Sequence, residues 1–128
     1  MTTKYLEVGD ADWGVLVCYH FYVTDYDEIW SYCRSFGLSK ERTREALRVL
    51  REPNTGMTIS SDEIRMSIVF VGDATSTSEW WDTLSHELWH VVTHIIDYYG
   101  VGYDTEDAAY LTGFLMKQLV EEVGEPCY

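Results

Sequence analysis

The spacing of apolar positions changes along the chain, and each change predicts an element. Residues 13–23, WGVLVCYHFYV, are a nearly unbroken run of β-branched and aromatic side chains and read as a buried strand. Asp25 or Asp27 can cap a short helix through about Phe36, closed by Gly37. Ser39 opens a second helix, KERTREALRVLRE, with Ala46, Leu47 and Leu50 on its inner side. Pro53-Asn54-Thr55-Gly56 reads as a turn. Residues 57–60 and 63–71 are expected strands, joined at Ser61-Asp62 into a hairpin. Ser76-Thr77-Ser78-Glu79 fits a capping box that starts a long helix, stopped by Gly100 and Gly102. Asp104 or Thr105 then caps a last helix running to about Val123, ended by Gly124 and Pro126. No repeat, linker or low-complexity tract interrupts this order, which predicts one α+β domain over residues 1–128. In it, a small antiparallel or mixed sheet packs on the long helix and the C-terminal helix after it.

The long helix is the informative element. With roughly 100° per residue, Thr83, His86, Glu87, His90, His94 and Asp97 fall within about 100° of arc. Trp81, Leu84, Leu88, Val91, Val92, Ile95 and Tyr99 occupy the opposite arc. A solvated face usually scatters Lys and Glu, whereas this one gathers three of the chain's four histidines. A polar face satisfied by water and neighbouring acids is the plain alternative.

Composition narrows the classes. With 128 residues, 46% hydrophobic and 15% aromatic, the chain has material for one core. Its apolar runs are too short to span a bilayer, and its N-terminus lacks a basic and apolar leader pattern. Three widely spaced cysteines, Cys18, Cys33 and Cys127, form no CxxC pair, so reduced thiols in a cytoplasm are expected rather than a cysteine zinc site. Net charge is −13, and after Arg65 eleven acids face the single Lys117, which argues against a nucleic-acid surface on that half.

His86-Glu87-Leu88-Trp89-His90 is a His-Glu-x-x-His pattern. Histidines at i and i+4 project from one side of a helix and can meet one tetrahedral Zn²⁺, while the glutamate after the first sits close enough to act as a base toward metal-activated water. His94 continues the series but lies roughly 12 Å along the axis from His86, which disfavours it as a ligand together with His90. A third ligand should come from another element. Glu106, at the start of the last helix, is the leading candidate, with Asp104 and Asp107 as fallbacks; a first-turn acid complementing the helix dipole is the other reading of Glu106.

HELWH followed, after fifteen residues, by the Glu that opens EDAAYLTGFLM resembles the compact gluzincin-type metallopeptidases of the ImmA/IrrE family, over roughly residues 63–120. The resemblance implies a minimal zincin-like domain. It further implies His86, His90 and Glu106 as zinc ligands and Glu87 as the catalytic base. This chain lacks the proline that family members often carry after Leu115-Met116, and residues 1–60 lie outside the resemblance. The expected function is zinc-dependent hydrolysis of a peptide bond in a selected protein substrate, with the strand Ser67–Val71 pairing with the extended peptide. Tyr110, one turn from Glu106, is a candidate oxyanion donor or a packing tyrosine. The competing expectations are an acidic interaction or inhibitor protein and a zincin fold that holds metal without turnover.

Overall fold

The computed structural model describes residues 1–102 and 106–124. Its sheet comprises β1 (Thr2–Val8), β2 (Trp13–Tyr19), β3 (Gly56–Ser61) and β4 (Met66–Val71), in the order β1-β2-β4-β3. The outer pairs, β1 with β2 and β3 with β4, are antiparallel, and the central pair β2 with β4 is parallel. Helices α1 (Tyr26–Ser35) and α2 (Lys40–Leu50) cover one face, and α3 (Thr77–Tyr99) and α4 (Glu106–Val123) cover the other. The predicted α+β class and mixed sheet are therefore what the chain adopts.

The central strands show why their sequences are apolar without a break. Val15, Val17, Val69 and Val71 point into the core beneath α3 and α4, while Cys18, Ile68 and Phe70 point into the one beneath α1 and α2. A strand buried on both faces has no polar face to alternate with. The single polar side chain in that run, Ser67, is fully buried and accepts the indole N–H of Trp13 at 3.0 Å. That bond removes the desolvation cost of an unpaired indole N–H.

Local signals account for most boundaries. The Ser39 side chain accepts from the Arg42 N–H to start α2, and Ser76 accepts from the Glu79 N–H to start α3. Gly100 ends α3 at φ 70°, the left-handed conformation that glycine adopts without a Cβ penalty. The expected caps at Asp104 or Thr105 lie outside the described residues, as does Pro126.

Four details differ from the sequence reading. The strand expected over 13–23 stops at Tyr19, because His20 takes φ 58° and leaves the extended region. The hairpin loop is Asp62–Arg65 rather than Ser61-Asp62, with Arg65 at φ 51° and ion-paired with Asp12. β1 carries little signature in the sequence, since only Leu6 and Val8 are buried, among polar neighbours. Finally, β4 is paired on both sides, so Ser67–Val71 has no free edge to offer a peptide; that edge belongs to β3. Among the described residues, no helix is long and apolar enough to cross a membrane.

Candidate metal centre

Helix α3 lies over the β3–β4 side of the sheet, whereas α4 packs on β1 and on the other flank of α3. Gln118 on α4 accepts from and donates to the backbone of Glu7 in β1, fixing that position. A cleft of about 550 Å³ consequently opens between α3 and the free edge of β3. Its walls are the polar arc of α3, namely His86, Glu87, His90, Thr93, His94 and Asp97, together with Gly56, Met57, Thr58 and Ser60 of β3.

The close approach of α3 to β3 depends on Gly56. A Cβ there would sit 2.8 Å from the Thr83 methyl, 2.9 Å from Glu87 Cγ and 3.0 Å from the Phe70 carbonyl oxygen. Because the site is Gly, the Thr58 hydroxyl reaches Glu87, 2.9 Å from Oε1 and 3.2 Å from the backbone oxygen. Glu87 is 7% exposed, a buried carboxylate held from one side by a hydroxyl donor. Sequence reasoning missed Thr58: it lies 29 residues from Glu87, and only the hairpin's position beside α3 brings them together.

The two histidines of the motif converge. His86 Nε2 and His90 Nε2 are 3.3 Å apart, with ring centroids at 5.0 Å. Two nitrogens at about 2.0–2.1 Å from one tetrahedral zinc are about 3.3–3.4 Å apart, so this pair fits two corners of such a site. Oε2 of Glu87 is 3.8 Å from His86 Nε2, within reach of a water between the rings and the carboxylate. Both imidazoles are exposed to the cleft, so a ligand can enter.

The remaining predicted residues behave differently. His94 Nε2 is 2.5 Å from Asp62 Oδ1 in the β3–β4 turn, and its ring packs 5.5 Å from that of Trp13. It lines the same cleft as the other two histidines, with its Nε2 engaged by Asp62. Glu106 opens α4 and is exposed, Tyr110 is 73% exposed, and neither lines the cleft. Asp107 is exposed on the same first turn, and Asp104 lies outside the described residues. Among the described residues, no group of three His, Cys, Asp or Glu side chains is gathered where a metal ion could be held. The imidazole pair thus fits zinc, while the carboxylate that would complete the set is not assembled with it.

Comparison with known proteins gives no match: no family model, no curated protein and no solved structure is significantly similar to the chain.

Proposed function

We propose that the protein is a zinc-dependent peptide hydrolase in which His86 and His90 hold the ion and Glu87 is the catalytic base. The observation that carries this reading is the 3.3 Å approach of the two Nε2 atoms with a buried carboxylate 3.8 Å from one of them. The same 3.3 Å approach suits a hydrogen bond between the two rings of an i, i+4 pair, so the carboxylate beside them is what favours a metal site over a plain polar face. When bound, zinc supplies Lewis-acid polarisation of a carbonyl oxygen at neutral pH. The chain's own groups do the rest. Glu87 Oε2 takes a proton from water in the cleft and returns it to the departing amine, while Thr58 keeps Oε1 turned inward.

The free edge of β3 supports a peptide as the substrate. Gly72 N–H donates to the Thr55 carbonyl, and in the β3–β4 register Met57 stands opposite Phe70 two residues further along. The two-residue alternation of an antiparallel ladder then leaves the backbone groups of Gly56, Thr58 and Ser60 directed to the free edge. An extended peptide would add to β3 there, passing His86, Glu87 and His90. Glu106 is the third ligand that the motif resemblance implies, and it lies off the cleft that holds the pair. The alternative reading kept beside this one is a zincin-like fold that holds metal without turnover.

Glu87→Gln separates the two. With zinc supplied, the wild-type protein should cleave members of a mixed peptide library, and the Glu87→Gln variant should keep the metal while losing at least about 100-fold in rate. Equal turnover by both proteins removes Glu87 from the mechanism, and metal binding without cleavage by either supports the alternative.

A further inference from the structure

On the opposite side of β3 from the histidine cleft lies a second hollow, of about 300 Å³, lined by Leu38, Arg42, Glu45, Ala46, Val49, Gly56 and Met57. The two hollows share Gly56 and Met57, so the free edge of β3 runs between them. Side chains of β3 alternate across that edge. Thr58 meets Glu87 of α3, whereas Met57 and Ile59 pack into the core beneath α1 and α2. A strand added to β3 inherits the same alternation, because side chains of neighbouring strands share faces in register. If one residue of an added segment points at His86 and His90, the next points into the second hollow.

Charge defines what else the hollow would recognise. Glu45 is held by Arg48, whose Nε donates to Oε2 at 3.0 Å. Arg44 stacks on Trp30 and Arg51 on Tyr26. Arg42 is exposed at the rim, and among the described residues its guanidinium has no carboxylate partner. On a chain of net charge −13, this places an available cation beside an apolar surface at the mouth of a groove.

We propose that this hollow is a specificity subsite, taking an apolar side chain of an extended peptide laid along β3, with Arg42 pairing a carboxylate about two residues further on the same face. The proposal rests on the peptide-binding part of the reading above and assigns the sequence class of the peptide: apolar, any residue, acidic. Neither part needs a metal.

The test uses the full-length Glu87→Gln protein and blocked ten-residue peptides with Gly, Leu, Phe or Lys at a guest position and Asp or Asn two residues later. Binding is followed by fluorescence anisotropy, and its place by amide shifts of Gly56–Ser61. Leu or Phe guests should bind about 10-fold or more tighter than Gly, since a well-fitted apolar group discriminates on that scale. Asp should be favoured over Asn several-fold at low salt, and Arg42→Glu should reverse that order, an exposed substitution that leaves the fold intact. Ala46→Phe, which fills the hollow, should reduce the Leu-over-Gly preference below about 2-fold. The subsite is overturned if no peptide shifts the β3 amides. It is equally overturned if peptides bind there without guest preference, or if the preferences survive both Arg42→Glu and Ala46→Phe. Zinc titration and cleavage by the wild-type protein are scored separately. Selective binding on β3 without zinc uptake or cleavage leaves the subsite standing and removes the hydrolase, whereas cleavage indifferent to the guest residue removes the subsite alone.

Discussion

Replacing Gly56 by alanine tests how closely α3 is seated on the sheet edge. The added methyl would lie 2.8 Å from Thr83 Cγ2, 2.9 Å from Glu87 Cγ and 3.0 Å from the Phe70 carbonyl oxygen. Real Cβ contacts under 3.0 Å are essentially never seen, and here the neighbours are a buried threonine, a buried glutamate and backbone, none of which swings aside freely. Overpacking of this kind costs about 1–3 kcal/mol, and restricting the unfolded chain returns up to about 1 kcal/mol. The expected net loss is about 1–2 kcal/mol, a fall in Tm of about 4–8 °C for a domain of this size. Gly113→Ala is the control, because a Cβ there meets nothing within 4 Å and lies inside α4; it should raise stability by about 0.5–1 kcal/mol. Thr83→Ser removes the methyl that the new Cβ would strike, so the Gly56→Ala and Thr83→Ser pair should show a favourable coupling of at least about 0.5 kcal/mol in a double-mutant cycle. Thermal and urea unfolding of wild type, the single variants and the double variant give these values. A Gly56→Ala protein as stable as wild type, with no coupling to Thr83, would refute the close seating of Glu87 against β3.

Two further expectations can be checked directly. The motif resemblance, not the geometry, makes Glu106 the third ligand, so Glu106→Ala titrated against a zinc chelator should lose more affinity than His94→Ala; the reverse order would transfer that role to His94, which already lines the cleft. Burial, with a smaller contribution from Glu28, pushes the Cys18 thiol up to about 12, and burial pushes Cys33 up to about 11. Both thiols keep their protons in the fold while an unfolded thiol ionises near about 8.5. Their contribution to stability is therefore complete below about pH 8.5 and is lost as pH rises toward 11. In a Cys127→Ser background, neither thiol should react with a disulfide reagent at pH 8 until the protein is unfolded, and a fast-reacting thiol in the native state would contradict their burial.

The parts of this molecule that the sequence reveals are those governed by local chemistry. Ser39, Ser76 and Gly100 mark helix ends because a hydroxyl cap or a left-handed glycine acts within one turn. The apolar runs at 13–19 and 66–71 mark buried strands because central parallel strands carry no polar face. The convergence of His86 and His90 is legible for the same reason: four residues on a helix is one turn. Strand order is a different matter. That β4 passes inside β3, leaving Gly56–Ser61 as the free edge, depends on long-range pairing that no local pattern encodes. Thr58, Asp62 and the second hollow are invisible in the sequence for that reason. The position of α4 over β1 likewise follows from packing of Leu115 and Leu119, and it leaves Glu106 off the cleft that spacing alone assigned to it.

The central claim is that His86 and His90 form a metal pair. Zinc uptake by the purified wild-type protein, measured by competition with a chromophoric chelator beside the His90→Ala variant, tests it most directly. One equivalent per chain should bind at micromolar affinity or tighter in the wild type, and His90→Ala should abolish it with the fold intact, since His90 is exposed and contributes nothing to the core. Wild-type protein that takes up no zinc at micromolar concentration, or a His90→Ala variant that binds it equally well, would contradict the account.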